Sequence, residues 1–274
     1  MNTLRRHYPE YLMEAAGLGI VMLAASLVTV LLEHPASPVR QAISEPLLRR
    51  LIIGVAMGLS VIAIIYSPWG KQSGAHLNPV ITFTFFRLGK IKPPDALSYI
   101  VAQCIGGLLG VLLAANFVRD AIVHPSVNYL VTIPGSNGVE AAFFAELIIS
   151  FGLMLMILVT SNHPKLSRFT GIFKGILFTT YIMLEAPFSG MSMNPARTLA
   201  SAIPAQNWTA IWVYFTAPLF GMLLAAELYV RFKGRNAVRC AKLHHHNHKR
   251  CIFCCGYRSQ ALNNEHLLSN RHNP

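Results

Sequence analysis

SGAHLNPV, at residues Ser73–Val80, and SGMSMNPAR, at residues Ser189–Arg197, are two versions of one pattern. We call them the first and second Asn-Pro loops. In each, Asn-Pro follows a Ser-Gly turn and precedes an apolar run. Proline is favoured in the first turn of a helix, where its missing N–H has no intrahelical partner, and asparagine is a preferred N-cap. The pattern therefore predicts that Asn78 and Asn194 each cap the start of a short helix.

These short helices are predicted over Val80–Leu88 and Ala196–Ile203, and neither is long enough to cross a bilayer. The composition nevertheless indicates a membrane protein, because 53% of the residues are hydrophobic and only 12% are charged. Two half-membrane helices that each open on an asparagine are hard to explain in a soluble protein. We therefore expect an all-α, multi-pass membrane protein.

Six apolar runs are long enough to span a bilayer, and one short helix follows the second run and one follows the fifth. Three spans per half is an odd number, so the halves must lie in the membrane with opposite orientations. This predicts six transmembrane helices plus two re-entrant half-helices in two inverted repeats. The runs are residues 11–32, 48–67, 96–118, 139–161, 169–188 and 208–232. The predicted divisions are a cytoplasmic N-terminus (1–10), a first repeat (11–118), an outer connecting loop (119–138), a second repeat (139–232) and a basic His/Cys-rich cytoplasmic tail (233–274).

Matched residues in the two halves support an internal repeat. The first span of each half carries one acid, Glu14 or Glu146. These carboxylates could relay protons, or each could accept hydrogen bonds from backbone N–H groups of its Asn-Pro loop. The matched placement favours the loop-supporting role. Small residues four apart, which let helices approach closely in lipid, recur at Gly54/Gly58, Gly171/Gly175, Gly106/Gly110 and Gly221/Ala225.

Lysine and arginine set the expected orientation. With the N-terminus in the cytoplasm, the predicted outer segments carry only Arg40, Arg49, Arg50, Arg119 and Arg197. The other 18 of the 23 basic residues, Lys174 among them, fall in the predicted inner segments. Both termini are therefore expected in the cytoplasm, with the chain in a cell membrane, inner or plasma. The net charge of +12 is spread over several short loops, so we expect no nucleic-acid partner.

Inverted repeats bring the two half-helices in from opposite faces, so that their N-termini meet near the membrane centre. Each N-terminus carries about half a positive charge, which repels cations, and the two asparagine amides would donate to a passing oxygen. The preceding extended backbone cannot leave its carbonyls bare in lipid and should line a water-filled path. The residues expected to line it are Gly74, Ala75, His76, Gly190 and Ser192, and the half-helices are expected to begin at Pro79, Val80, Pro195 and Ala196. His76 could gate this path, although simple packing is favoured.

Over residues 10–232 the sequence resembles the major intrinsic protein family, the aquaporins and glycerol facilitators. The resemblance lies in both Asn-Pro loops, the two glutamates, and Gln103 with Gly106 and Gly107. It implies that Asn78 and Asn194 are the paired pore asparagines, that the chain forms a homotetramer, and that an outer selectivity filter exists. The filter positions it implies are Arg197, Ile182, Met191 and either Met57 or Gly58, with Met57 preferred because AMGLSV then aligns in register.

Three residues depart from the family pattern. Val80 replaces the small alanine of the first motif, and Thr198 stands where glycerol facilitators typically have aspartate. Ile182 stands where strict water channels usually have histidine, which removes a hydrogen-bond donor from the filter. Arg197 could be a surface charge, but its place two residues after the capping Asn-Pro favours a pore-lining role.

The tail concentrates cysteine and histidine in a cytoplasmic segment. Its spacing is similar to that of zinc sites, and it offers one weak candidate set, Cys240, His244, Cys251 and Cys254. The favoured alternative is a basic tail that lies on the anionic leaflet of the membrane. The last residues, 259–274, are polar and expected to be disordered.

The sequence contains no catalytic constellation, so we expect neither an enzyme nor a cofactor. We expect a passive channel for water in the lipid bilayer, with small uncharged solutes as further permeants. The alternatives are a glycerol-like neutral-solute facilitator, a proton-coupled transporter that uses Glu14 and Glu146, and a scaffold or metal sensor built on the tail. A transporter would depend on a pH gradient, and a scaffold would keep its role when Arg197 and the asparagines are changed.

Overall fold

The computed structural model describes residues 3–257, and the predicted disorder of residues 259–274 lies outside this range. The described chain folds into α-helices joined by short loops. The helices are α1 (Thr3–Glu33), α2 (Pro38–Ala42), α3 (Pro46–Tyr66), α4 (Pro68–Ser73), α5 (Pro79–Arg87), α6 (Pro93–Val118), α7 (Asp120–Val123), α8 (Gly138–Ser161), α9 (Thr170–Leu184), α10 (Ala186–Ser189), α11 (Pro195–Ala205) and α12 (Ile211–Lys233).

Five of these helices, α1, α3, α6, α8 and α12, are long and apolar enough to cross a membrane. The sixth predicted span, residues 169–188, is divided into α9 and α10. With 15 residues, α9 is about 22 Å long, shorter than a typical hydrocarbon core. The break follows from Pro187, which lacks the N–H that would bond the Met183 carbonyl. Arg50 Nε donates to that carbonyl instead, at 3.3 Å.

The two halves use the same helix pairs. In the first half α1 packs along α6, in the second α8 packs along α12, and α3 and α9 pack together across the halves. Glycine permits each close approach. A Cβ on Gly106 or Gly110 would lie 2.0 or 2.2 Å from a carbonyl oxygen of α1, and one on Gly221 would lie 2.4 Å from the Leu147 oxygen. The small-residue stripes therefore serve packing inside the chain.

Large apolar side chains cover the outer surface of the bundle. Exposed examples include Leu12, Leu59, Leu97, Phe117, Phe144, Ile148 and Phe220. Contiguous exposed apolar surface of this kind is expected of helices that face lipid. Together with the five long apolar helices, it makes the chain an integral multi-pass membrane protein.

The half-helices α5 and α11 start at the centre of the bundle and run apart. We call the face that holds both described ends of the chain the terminal face, because Arg250 there donates to the Arg6 carbonyl at 2.9 Å. After α5 the chain reaches this face, where the Lys90 carbonyl accepts from Cys254 N–H at 2.9 Å. α11 instead leads into the start of α12, a helix that returns to the terminal face. The half-helices thus enter from opposite faces.

Candidate functional site

The two asparagines cap the half-helices as the sequence predicted. Asn78 Oδ1 accepts from Val80 N–H at 2.8 Å. Asn194 Oδ1 accepts from the N–H groups of Ala196 and Arg197, at 3.1 and 3.3 Å. A proline fills the first helical position in both helices. Because each oxygen is used for capping, the amide nitrogen is left to point away from its own helix.

The amide nitrogens tie the two Asn-Pro loops together at the centre. Asn78 Nδ2 donates to the Met193 carbonyl, and Asn194 Nδ2 donates to the Leu77 carbonyl, both at 2.7 Å. Each NH₂ group has two protons, and these bonds use one of them. Among the described residues no hydrogen bond takes the second proton, and both side chains line a central cavity. The site therefore presents two amide donors to whatever occupies that cavity.

The backbone before each asparagine is held in the left-handed region at matched positions. Ala75 and Leu77 in the first loop have φ values of 54° and 55°, and Met191 and Met193 in the second have 49° and 53°. Residues other than glycine rarely adopt this conformation, because the Cβ crowds the backbone. Surrounding hydrogen bonds must therefore hold both loops in shape.

Two buried glutamates supply those hydrogen bonds. Glu14 accepts from the N–H groups of His76 and Leu77, at 3.1 and 2.8 Å. Glu146 accepts from the N–H groups of Ser192 and Met193, at 2.6 and 2.7 Å. Each glutamate also accepts from the serine at the start of its loop. Neither carboxylate lines the cavity, so the contacts favour the loop-supporting role over proton relay.

A matched pair of tyrosines also supports the loops, and the sequence did not predict it. Tyr99 donates to the Ser73 carbonyl and Tyr214 to the Ser189 carbonyl, both at 2.7 Å. Both tyrosines are buried and lie on the third span of their half. The available signal was spacing, because each stands seven residues before a packing glycine, Gly106 or Gly221.

The cavity has a volume of about 420 Å³ and runs past both asparagines. The four implied filter residues, Met57, Ile182, Met191 and Arg197, all line it. The alternative position, Gly58, does not, since it packs against the Gly175 carbonyl of α9. Met57 therefore stays the predicted filter position. Arg197 Nη1 donates to the Leu130 carbonyl at 2.7 Å, which fixes the guanidinium beside the cavity.

Two of the predicted lining residues are misplaced. His76, Gly190 and Ser192 line the cavity, whereas Gly74 and Ala75 do not. Gly74 ends α4 with a φ of 98°, and Phe253, which follows the last long helix, covers it. Its carbonyl accepts from Leu243 N–H at 3.2 Å rather than facing the cavity. The prediction failed here because it treated the loop as uncovered on its terminal side.

The cavity is also lined by three charged residues that the sequence did not assign to it, namely Glu33, Arg50 and Lys174. Lys174 had been counted with the inner loop charges. It is buried on α9, and its Nζ donates to the His76 carbonyl at 3.3 Å. The cavity is therefore lined by three basic side chains, Arg50, Lys174 and Arg197, and by one acidic side chain, Glu33.

Thr198 and Val80, two of the departures from the family pattern, do not reach the cavity. The Thr198 hydroxyl bonds Ser192 Oγ at 2.6 Å and Thr132 Oγ1 at 3.0 Å, so it braces the second loop. Val80 is buried, and its N–H donates to Oδ1 of the capping Asn78. Of the three departures, only Ile182 changes the cavity wall.

This geometry defines a class: a membrane protein in which two re-entrant half-helices meet end to end at a central cavity. Comparison with known proteins agrees. A profile described as major intrinsic protein matches residues 6–229. The chain belongs to the major intrinsic protein family.

Individual relatives give the same result. Aquaporin NIP6-1 of Arabidopsis thaliana is 37% identical over 185 residues, which cover 66% of this chain and 58% of that protein. Glycerol uptake facilitator protein-like 6 of Lactiplantibacillus plantarum is 34% identical over 179 residues, which cover 64% of this chain and 82% of that protein. The chain thus spans less than two-thirds of the plant relative. The solved aquaglyceroporin from Plasmodium falciparum has the same fold, with a TM-score of 0.67 at 21% identity over 81% of this chain and 95% of that one.

Proposed function

We propose that the chain is a passive channel for water and small uncharged solutes that excludes protons and ions. The observation that carries this proposal is the meeting of two capped half-helices at one cavity, with an amide N–H from Asn78 and one from Asn194 left for a permeant. A water oxygen that passes can accept from both amides. Its own protons then point away from the centre, which breaks a continuous hydrogen-bonded chain of water.

Electrostatics supports ion exclusion. Each half-helix N-terminus contributes about half a positive charge at the centre. Arg50, Lys174 and Arg197 add cationic groups that line the same cavity, and the one acid that lines it, Glu33, is paired with Arg49 at 3.1 Å. Cations and protons would meet net positive potential from these side chains and the two helix N-termini in a low-dielectric surrounding, where it is weakly screened. Glu14 and Glu146 do not line the cavity, because their carboxylates accept hydrogen bonds from the loop backbone.

The filter favours neutral solutes in addition to water. Met57, Ile182 and Met191 present apolar walls, and Arg197 is the one hydrogen-bonding side chain of the four. Methionine is flexible and adapts to irregular shapes, so this wall can yield to a solute with a carbon skeleton. The names of two relatives, an aquaporin and a glycerol uptake facilitator-like protein, point to the same two permeant classes. A glycerol-like neutral-solute facilitator is the second candidate.

We further infer that the terminal face is cytoplasmic, because its loops carry most of the lysine and arginine. The inverted repeats are assigned to residues 11–118 and 139–232, and a homotetramer is proposed from the family resemblance. Mass photometry of the chain in nanodiscs tests the assembly, and a monomeric particle would contradict it. Cysteine-accessibility labelling at loop positions in whole cells tests the orientation.

The function is tested with purified chain in proteoliposomes, by stopped-flow light scattering. A sucrose gradient should shrink these vesicles faster than empty ones, and a glycerol gradient should then give fast re-swelling. Slow glycerol re-swelling would restrict the channel to water. If neither rate exceeds that of empty vesicles, with the chain folded and inserted, the channel proposal fails.

A further inference from the structure

The described residues that follow α12 fold back onto the helix bundle. We call residues 238–257 the cap segment. Arg250 pairs with the buried carboxylate of Glu10, with Nε donating to Oε1 at 2.9 Å. Leu243 N–H donates to the Gly74 carbonyl at 3.2 Å, and Cys254 N–H donates to the Lys90 carbonyl at 2.9 Å. The cap segment is thus fixed to α1, to the first Asn-Pro loop and to the loop after α5.

The cap segment reaches the cavity through His76. The His76 ring is buried and lies between Phe85 and Phe253, with both ring centroids 5.4 Å away. Its Nε2 bonds the Ala241 carbonyl at 2.8 Å. Two residues of the cap segment therefore set the position of a side chain that also lines the central cavity.

Four side chains of the cap segment converge directly beside these contacts. The ligating atoms of Cys240, His245, Cys251 and Cys255 all lie within 4.8 Å of one another. Cys240 Sγ and Cys251 Sγ are 3.6 Å apart, and His245 Nε2 and Cys255 Sγ are 3.0 Å apart. The cluster differs from the set predicted from the sequence in two members. Cys254 is exposed, and the His244 ring packs edge-on against Tyr66, so Cys255 and His245 replace them.

The geometry suits one tetrahedral metal ion. Zinc binds thiolates at about 2.3 Å and histidine at about 2.0 Å, so ligand atoms on a tetrahedron lie about 3.7 Å apart. The Cys240–Cys251 separation of 3.6 Å is close to that value, the His245–Cys255 separation of 3.0 Å is shorter, and all four atoms lie within 4.8 Å of one another. A disulfide requires about 2.05 Å between sulfurs, far shorter than the Cys240–Cys251 separation. Three sulfurs and one imidazole nitrogen form one of the donor sets that structural zinc sites use.

The charge around the cluster also suits a cation bound by thiolates. The Lys242 ammonium does not occupy the centre of the cluster, since its Nζ donates to the Lys249 and Arg250 carbonyls at 3.2 and 2.8 Å. Zinc with three thiolates and a neutral histidine carries a net charge of −1, which the surrounding basic residues complement.

We propose that Cys240, His245, Cys251 and Cys255 bind one zinc ion, and that this ion holds the cap segment on the first Asn-Pro loop. The ligands bracket the contacts with His76: Ala241 follows the first ligand, and Phe253 lies between the last two. Residues 238–255 form no helix or strand, so regular backbone hydrogen bonds do not hold these residues in place. Metal binding supplies that free energy, as in other small metal-folded segments.

The direct test is metal analysis of the purified full chain, incubated with zinc under reducing conditions and then desalted. We expect about one zinc per chain. Cys240→Ser, Cys251→Ser, Cys255→Ser and His245→Ala should each lose most of it, while the neighbouring variants Cys254→Ser and His248→Ala should keep it. A chain that retains no zinc, or cluster and control variants with equal content, would overturn the site.

The unmodified chain gives a second readout that does not depend on how the variants fold. X-ray absorption at the zinc edge should show three sulfur ligands and one nitrogen ligand, and cobalt substitution should give the sulfur-to-cobalt charge-transfer band of a tetrahedral thiolate site. A shell of oxygen and nitrogen alone would contradict the assignment. So would mass spectrometry that finds Cys240 and Cys251 joined by a disulfide in protein purified from the cytoplasmic membrane.

The role of the ion is tested by hydrogen–deuterium exchange before and after chelation. Peptides from residues 238–257 should exchange about tenfold faster or more once zinc is removed, because the contacts with His76 and Glu10 then open. Peptides from α8 should not change. Unchanged exchange in the cap segment would show that the ion does not hold it. Neither readout uses transport, so failure of the channel proposal leaves the result intact.

Discussion

The two Asn-Pro loops have the same supports but different surroundings. Both are held by a glutamate, a tyrosine and a capping asparagine, with equivalent contacts at nearly equal distances. The first loop is covered by the cap segment, which buries His76. The second loop instead continues into Arg197, whose guanidinium lies at the cavity. The supports thus build one backbone shape twice, while the neighbouring residues give each half its own chemistry.

The largest effect should come from removing a glutamate. Glu14→Ala leaves three donors unpaired, and Glu146→Ala leaves two. Gln103 and Ser189 also lose a glutamate partner but keep a second acceptor, Thr82 or Glu185. At 1–3 kcal/mol for each buried unpaired donor, partly relieved by relaxation, we expect a loss on the order of 4 kcal/mol in either variant. In scanning fluorimetry this lowers the unfolding temperature by about 10 °C, whereas the exposed control Glu140→Ala should change it little. An effect confined to one half would break the equivalence of the two supports.

Replacing either asparagine by aspartate should come next. Asn78→Asp and Asn194→Asp keep a capping oxygen but lose the amide donor to the opposite loop and to the permeant. If the lost hydrogen bond raises the barrier to permeation at the centre by about 1.4 kcal/mol, water flow in proteoliposomes should be roughly tenfold slower. Asn137→Asp, at the exposed start of α8, is the control and should be unaffected. Normal flow in either central variant would exclude the proposed role of the amides.

Arg197→Ala tests a feature that only the second Asn-Pro loop has. It removes the one hydrogen-bonding side chain of the filter and opens space beside three apolar residues. The ratio of glycerol to water permeability should rise roughly fivefold, for a barrier change of about 1 kcal/mol. The exposed Arg119→Ala, on the face opposite the terminal face, should leave the ratio as it is. A ratio that falls in Arg197→Ala would mean that the filter lies elsewhere.

The smallest effect belongs to the tyrosines. Tyr99→Phe and Tyr214→Phe each remove one hydrogen bond to a loop carbonyl, worth about 1 kcal/mol. Both should lower the unfolding temperature by about 2–4 °C, and by similar amounts. Tyr8→Phe, an exposed position, supplies the baseline. Different losses in the two variants would mean that the matched contacts do not carry equal weight.

Much of this arrangement could be predicted from the sequence, because its causes are local. Asn-Pro after a Ser-Gly turn specifies a capped helix start, and both helices begin as predicted. The interruption at Glu185 was missed, although Pro187 carried the signal. Glu14 and Glu146 could be placed by their matching positions in the repeat.

The errors concern contacts between distant parts of the chain. Gly74 and Ala75 were assigned to the cavity because nothing in the sequence shows that Phe253 covers that side of the loop. Cys254 was chosen for its spacing from Cys251, but backbone direction in an irregular segment turns Cys255 inward instead. Lys174 was grouped with loop charges, since its burial depends on how α9 packs beside His76.

The central claim is that two opposed half-helices pass neutral molecules and stop protons. The measurement that tests it most directly records water flow and proton flux in the same proteoliposomes, by light scattering and an enclosed pH-sensitive dye under an imposed membrane potential. We expect water flow well above that of empty vesicles, with proton flux equal to that of empty vesicles. Proton flux that rises with protein content, or solute uptake driven by a pH gradient, would contradict it.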